Sequence, residues 1–185
     1  YITVIQDGDL FRMYYRGLPV AGRNEGSKTY VCYAESRDGI HWTKPDLGLF
    51  EVNGTRQNNV VLTEFPFTHN FSPFLDTRPG VPANERFKAL AGSAKTKLMA
   101  FASEDGLHWR KLRDEPVLKD GLFDSQNVAF WSESEQCYVA YVRTWTGGAI
   151  YKGVRTVSRA TSANFLDWSP VEEIGRGGAA DRTDA

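Results

Sequence analysis

The sequence repeats itself, and this repetition restricts the fold more than any other feature of the chain. The segment SRDGIHW at 36–42 recurs as SEDGLHW at 103–109, and a weaker copy, SANFLDW, occupies 162–168. The serine and the tryptophan are six residues apart in all three copies, which we call the boxes. Copies of one motif along a short chain are typical of proteins built from a repeated supersecondary unit.

Strand-like segments surround each box in the same order, three before or within it and one after it. Turn residues such as Asp7-Gly8-Asp9 separate them, and no stretch shows the apolar spacing of an amphipathic helix. The predicted strands are ITVI, LFRMYY, TYVCYAES and LGLFEV; FSPFL, RFKALAG, KLMAFAS and EPVLK; and VAFWS, CYVAYVR, VRTVSRATS and PVEEI.

Four short antiparallel strands per unit are typical of a β-propeller blade. We therefore predict an all-β protein whose single domain, 1–174, contains about three four-stranded antiparallel blades. The approximate blade boundaries are 1–62, 63–122 and 123–174. The segment 175–185 has no large apolar residue and is predicted to be disordered.

Each box has a structural interpretation. The aspartate and glycine of the first two boxes predict a tight turn in which serine and aspartate side chains accept hydrogen bonds from turn amides. The tryptophan of each box is predicted to be largely buried between neighbouring sheets. Because His41 and His108 share one box position, both are interpreted as structural, and Asp38 and Asp105 are excluded from catalysis for the same reason.

Composition argues against several classes of function. Lys plus Arg total 22 and Asp plus Glu 23, so the net charge is -1 and no basic patch points to nucleic acid. The apolar runs are too short to predict a membrane span. The sequence has no glycine-rich phosphate loop and no zinc-spaced ligand set, so we predict no cofactor and no metal. Cys32 and Cys137 are interpreted as small buried side chains.

Polar residues enter the first strands of the second and third units where strand alternation does not require them. In propellers the first strand of each blade lines a central channel, and ligands bind at one mouth of it. His69 belongs to no box, so it is the one histidine with a predicted functional role. The alternative is that these polar residues hydrogen-bond the loops joining the blades. The candidates are His69, Asn70 and Ser72 in the second unit and Asp124, Ser125, Gln126 and Asn127 in the third.

Arg143 and Trp145 form a second candidate pair after the run CYVAYV. An arginine beside an aromatic ring can bind hydroxyl groups and stack on a sugar. The alternative is an ion pair between Arg143 and a carboxylate of a neighbouring blade.

Six segments resemble a group of uncharacterised bacterial proteins that are related to the five-bladed arabinanase/invertase glycosidases. The likeness extends from about residue 1 to residue 174 and implies the propeller fold. The segments are FRMYYRG, YAESRDGIHW, NFSPFLDTRPGVP, ERFKALAG, DSQNVAFW and SRATSANFLDW.

The resemblance also implies a catalytic pattern from which this chain departs. Those glycosidases place one carboxylate from each of three blades at the channel mouth. Here the opening run YITVI offers none, and Ser72-Pro73 replaces an Asp-Pro pair. Asp124 alone matches, as a candidate general acid with His69 as its partner. Glycoside hydrolysis by the usual route needs two carboxyl groups.

The preferred interpretation is a carbohydrate-directed propeller domain, either a glycoside hydrolase with an incomplete carboxylate set or a sugar-binding domain. The alternative is a non-catalytic propeller fragment that acts as a binding or assembly scaffold. The start at Tyr1 suggests a fragment, and three blades predict two open apolar sheet faces. We therefore expect two chains to associate as a homodimer that covers them.

Overall fold

The computed structural model describes residues 1–19, 29–148 and 152–174, so the predicted disordered tail lies outside the described residues. The described residues form three four-stranded sheets and one short 3-10 turn at Ala83–Glu85. The prediction of an all-β chain with three four-stranded antiparallel units is confirmed. No helix among these residues has the length and apolar character needed to cross a membrane.

Each sheet takes its strands in chain order, and each strand is antiparallel to the next. We call the sheets blades 1, 2 and 3. Blade 1 contains β1 (Ile2–Asp7), β2 (Leu10–Gly17), β3 (Tyr30–Ser36) and β4 (Val60–Leu62). Blade 2 contains β5 (Ser72–Leu75), β6 (Phe87–Ser93), β7 (Lys97–Ser103) and β8 (Arg110–Lys111). Blade 3 contains β9 (Val128–Ser132), β10 (Cys137–Trp145), β11 (Arg155–Ser162) and β12 (Glu172–Glu173).

The predicted fourth strand was wrong in blades 1 and 2. In blade 1 the fourth strand is the fully buried Val60–Leu62 rather than LGLFEV. The positive φ angles of Gly48 (70°) and Asn53 (52°) interrupt an extended conformation in that run. In blade 2 the strand follows Trp109 directly, and the run EPVLK is joined to β7 only through the bridge at Leu98 and Leu118.

Two apolar clusters join the blades. Tyr14 and Tyr33 of blade 1 pack with Phe87 and Phe101 of blade 2. Leu90 of blade 2 packs in the second cluster, which includes aromatic side chains of blade 3. Because burial of apolar side chains is the main favourable contribution to folding, these clusters hold neighbouring blades face to face.

The boxes form the predicted turn. In the second box the amides of Leu107 and His108 donate to Asp105 Oδ1 (2.8 and 2.9 Å), and the amide of Gly106 donates to Ser103 Oγ (2.9 Å). The imidazole Nδ1 of His108 lies 2.7 Å from Asp105 Oδ2. These bonds hold the pKa of the Asp105 carboxyl well below its usual range, even though its burial opposes that shift. The box histidine is therefore part of the turn.

The box tryptophans are mostly but not fully buried. Trp109 and Trp168 pack against the two apolar clusters between blades, as predicted, whereas Trp42 belongs to neither cluster. Each indole Nε1 donates to a carbonyl within its own box, which keeps the ring close to the turn. Only part of the ring then reaches the neighbouring blade. Cys32 is buried, which raises the pKa of its thiol to about 11, whereas Cys137 is half-buried.

The first strands of the three blades, β1, β5 and β9, lie side by side. They line a cavity of about 350 Å³ whose walls are mostly apolar and include Val4, Phe74 and Phe130. We call this space the channel. The residues that precede the three strands meet at one end of it.

Candidate functional site

The residues before β1, β5 and β9 form a polar group at one end of the channel, which we call the mouth. The Tyr1 ring lies 6.0 Å from the His69 ring in an edge-on arrangement. The Tyr1 hydroxyl donates to the backbone carbonyl of Asp124 (3.3 Å). The structure therefore places His69 and Asp124 on the same side of the molecule, as their entry positions predicted. The mouth residues are Tyr1, His69, Asp124 and Gln126, which precede these strands, together with Arg16 and Arg143, which lie near the ends of β2 and β10.

Burial and the neighbouring Arg16 determine the protonation state and the tautomer of His69. Arg16 Nη1 donates to His69 Nδ1 (3.0 Å), and the guanidinium carbon of Arg16 lies 5.7 Å from the centre of the Tyr1 ring. Burial, together with the charge of Arg16, lowers the pKa of His69 below its ordinary value of 6.5. The imidazole is therefore neutral at neutral pH. Because a guanidinium can only donate, Nδ1 is the acceptor and Nε2 carries the proton.

Arg143 binds the only carboxylate among the mouth residues. Its Nη2 forms an ion pair with Asp124 Oδ1, and its guanidinium carbon lies 5.9 Å from the Trp145 ring. The carboxylate thus comes from its own blade, whereas the sequence alternative expected a neighbouring one. The side chain of Arg143 is mostly buried, and that of Asp124 is more exposed.

Arg16 and Arg143 occupy equivalent positions in blades 1 and 3. Each pairs across its sheet with a valine, Val31 or Val157, five residues before the box serine. The mouth therefore receives a guanidinium from two blades, and the two have different partners. Arg143 has a carboxylate beside it, whereas the described neighbours of Arg16 are an imidazole and a phenol ring.

The remaining candidates of the sequence hold the mouth together. Asn70 is fully buried and donates to the carbonyls of Phe123 (2.8 Å) and Ser125 (3.2 Å). Asn127 is also fully buried and donates to the Ser125 carbonyl (2.9 Å). These contacts fit the alternative in which such residues fix the loops between blades. A binding role for either stays a prediction.

Gln126 and Ser72 differ from that pair. The Gln126 amide donates to Thr3 Oγ1 (2.9 Å) and to the Ile2 carbonyl (3.3 Å), so it connects blade 3 to blade 1 across the channel end. Ser72 is buried in β5 and lines the channel below the mouth. Neither role was predicted from the sequence.

Trp145 lines a cleft of about 370 Å³ beside the mouth. Lys97, Lys119 and Asp120 are among its other walls. The cleft adjoins the mouth through Leu122, whose amide donates to the Arg143 carbonyl (3.3 Å). Arg143 and Trp145 are neighbours, but Arg143 belongs to the mouth whereas Trp145 lines this cleft.

Sequence reasoning missed Tyr1 and Arg16. Arg16 could have been found by aligning the second strands of blades 1 and 3 on the box serine, because that alignment pairs it with Arg143. Tyr1 precedes a strand with no repeated partner, so no signal marked it.

Sequence reasoning also missed two acid–base clusters between blades. In one, the carboxylate of Asp76 binds Lys88 Nζ (2.6 Å) and the Tyr138 hydroxyl (2.6 Å), with both charged side chains almost fully buried. In the other, Asp7 at the equivalent position of blade 1 binds Arg12 and Arg86. Asp7 and Asp76 lie at or just after the far ends of β1 and β5, away from the mouth. We interpret both clusters as contacts that join the blades.

Comparisons with known proteins place the fold. No protein-family model matches the chain. Two uncharacterized proteins from two strains of Mycobacterium tuberculosis are each 33% identical to it over 133 residues, which is 70% of this chain. The chain spans only 40% of the length of these relatives.

Solved structures match over nearly the whole chain at low identity. An N-acetylgalactosamine deacetylase from F. plautii matches with a TM-score of 0.62 at 14% identity, covering 94% of this chain and 51% of that one. A fructofuranosidase from Schwanniomyces occidentalis matches with a TM-score of 0.60 at 14% identity, covering 94% and 33%. A glycosyl hydrolase from Bacteroides ovatus matches with a TM-score of 0.53 at 15% identity, covering 92% and 49%.

These likenesses are informative about architecture. The described residues form three β-propeller blades, and this fold is shared with the solved structures above. The resemblance drawn from the sequence is confirmed at the level of the fold. Since one fold supports many chemistries, the function has to be argued from the mouth.

Proposed function

We propose that this chain is a carbohydrate-binding propeller domain whose ligand site is the mouth. One observation carries the proposal: Tyr1 contacts both His69 and Asp124, so groups from all three blades meet at one opening. Fully buried Asn70 and Asn127 fix the loops that present these groups. Preorganised polar side chains around a concave opening are typical of small-molecule sites.

The chemistry of the mouth suits a sugar. A sugar presents hydroxyl groups around its edge and a C–H face that packs on aromatic rings. The half-exposed Tyr1 ring supplies an apolar surface, and the Nε2–H of His69 supplies a donor. The Asp124 carboxylate supplies acceptors. The glycosidase-like fold supports the same ligand class by analogy.

Binding is favoured over hydrolysis at this site. Of the mouth residues, Asp124 alone carries a carboxylate, and its ion pair with Arg143 requires the ionised form. A general acid must instead hold a proton, and the usual mechanism needs a second carboxyl group across the scissile bond. If this site does hydrolyse a glycoside, Asp124 and His69 remain the candidate pair.

A saturation-transfer NMR screen tests the proposal directly. The chain is mixed with a panel of neutral and acidic monosaccharides, and His69→Ala and Tyr1→Ala variants are screened beside it. We expect at least one sugar to receive saturation from the unmodified chain and much less from either variant. His41→Ala is the matched control, because His41 lies in the exposed turn of the first box. A sugar signal that both mouth variants leave unchanged would refute the mouth as the site.

We also propose that two copies associate through the open faces of blades 1 and 3. Ile2 and Val4 alternate along β1 with Ile5, which packs toward blade 2, so they lie on the outer face of blade 1, where it borders the channel. They are 60% and 50% exposed. On the outer face of blade 3, Val157 is 53% exposed, and Phe130 is exposed beside Tyr141. Apolar surface of this kind favours association. Light scattering at micromolar concentration should report a dimer, and a monodisperse monomer would contradict the proposal.

A further inference from the structure

We propose that the mouth is selective for a sugar that carries a carboxylate, a uronic acid, and that Arg16 binds this group. The inference rests on the proposed function and specifies its ligand. It follows from the difference between the two equivalent arginines of the mouth.

The first step concerns charge. Arg143 is neutralised by Asp124, whereas the guanidinium contacts of Arg16 among the described residues are with the His69 imidazole and the Tyr1 ring, and neither is a carboxylate. The pKa of His69 is lowered by burial and by Arg16, so the imidazole does not add a second positive charge. The side chains of the six mouth residues therefore carry a net charge of about one positive unit, which a single carboxylate balances.

The second step concerns geometry. The guanidinium group is planar, and it presents paired N–H donors that match the two oxygens of a carboxylate. The hydrogen bond from Arg16 Nη1 to His69 Nδ1 orients the guanidinium group. The Tyr1 ring packs beside the guanidinium and restricts the rotation of that group. The other guanidinium N–H groups of Arg16 make no further hydrogen bond or ion pair within the part of the chain that the structure describes. A sugar packed on Tyr1 would place a ring carboxylate within reach of them.

The third step concerns the competing anion. A sugar phosphate would also pair with Arg16, but its second charge would find no second partner among the described mouth side chains, because Arg143 is paired with Asp124. Desolvating a charge that has no partner disfavours the phosphate relative to a monoanion. The test therefore compares both kinds of acidic sugar with neutral sugars of the same ring.

The experiment measures affinities of the full chain by NMR titration. The probes are D-glucuronic acid, D-galacturonic acid, D-glucose, D-galactose and D-glucose 6-phosphate. We expect at least one uronic acid to bind about tenfold more tightly than its neutral counterpart, which is the scale of a hydrogen-bonded charge pair. Arg16→Gln should remove this preference while retaining weak binding of the neutral sugar, and Arg16→Lys should keep part of it.

Controls separate the inference from the proposed function. Arg37→Gln makes the same charge change at an exposed position in the first box and should leave the preference intact. Thermal unfolding of each variant confirms that it folds. Equal affinity for uronic and neutral sugars would overturn the inference while the proposed function stands. Tighter binding of the phosphate would also overturn it, and failure of every probe to bind would overturn both.

Discussion

The first and second boxes have nearly the same sequence and the same internal hydrogen bonds, yet different surroundings. Ile40 of the first box is 75% exposed, whereas Leu107, its equivalent in the second, packs against the first apolar cluster. The reason is the neighbouring blade. The Tyr14 hydroxyl of blade 1 donates to the Gly106 carbonyl (3.0 Å) of the second box, and the Tyr14 ring packs edge-on against Trp109 (6.1 Å).

Comparing the two boxes separates the local hydrogen bonds that form the turn from the packing contacts that a box makes with a neighbouring blade. The turn is formed by local hydrogen bonds, so both copies adopt it whether or not they are covered. The stabilising contact between blades exists only where a preceding blade packs on the box. Substitutions of matched residues in the two boxes should therefore differ wherever the neighbour matters and agree wherever it does not.

The tryptophans should show the largest difference. Trp109→Ala removes the contacts with Phe71 (ring centroids 4.8 Å apart) and Tyr14 (6.1 Å), and we expect a loss of about 3 kcal/mol, the lower end for a large aromatic because the ring is half-buried. Trp42→Ala, which removes no ring contact with another described aromatic residue, should cost about 1 kcal/mol or less. Urea unfolding measures both. Equal losses would mean that the two boxes do not differ as described.

The box glycines should show a smaller difference. Both have positive φ angles, 73° at Gly39 and 76° at Gly106, so alanine costs about 1 kcal/mol at either position. A Cβ at Gly106 would also lie 2.5 Å from the buried Tyr14 hydroxyl, whereas at Gly39 the nearest atoms are 3.9 Å away. We therefore expect Gly106→Ala to lower the free energy of unfolding by about 1–3 kcal/mol more. A Tyr14→Phe background, which lacks the hydroxyl, should reduce that excess.

The box serines should not differ. Ser36 and Ser103 each accept a hydrogen bond from the box glycine amide at 2.9 Å. Each alanine variant should therefore cost about 1 kcal/mol. If Ser103→Ala proves much more costly than Ser36→Ala, the turn itself depends on the neighbouring blade.

The smallest expected effect is a dependence of the free energy of unfolding on pH, which arises from His69 in the mouth. Because the pKa of His69 is lowered in the folded protein, the unfolded chain binds more protons as the pH falls below about 6.5. The free energy of unfolding should therefore decrease on acidification, and His69→Gln should decrease less. Urea titrations at about pH 7.5 and pH 5.5 bracket the transition. An identical decrease in both proteins would contradict the lowered pKa.

The boxes and strand runs were predictable because each depends on residues close in the sequence. The β1–β2–β3 order and the box turn follow from alternation and turn chemistry. The fourth strand of blade 1, Val60–Leu62, could not be predicted in this way, because it lies far along the chain from β3, the strand with which it pairs. A strand of three residues carries little pattern of its own.

The site was predictable only in part, for the same reason. His69 and Asp124 were found because each precedes a first strand. Arg16 was missed because its role depends on the register of β2 against β3 and on packing between blades 1 and 2. The buried pair of Lys88 and Asp76 was missed since twelve residues and a loop separate its members.

Chemical-shift mapping tests the central claim, that the three blades together form a ligand site at the mouth. The labelled chain is titrated with the tightest-binding monosaccharide of the screen, and amide shifts are assigned. The largest changes should cluster at Arg16, His69 and Asp124, one from each blade or its entry. Changes confined to the Trp145 cleft around Lys97 and Lys119 would contradict it.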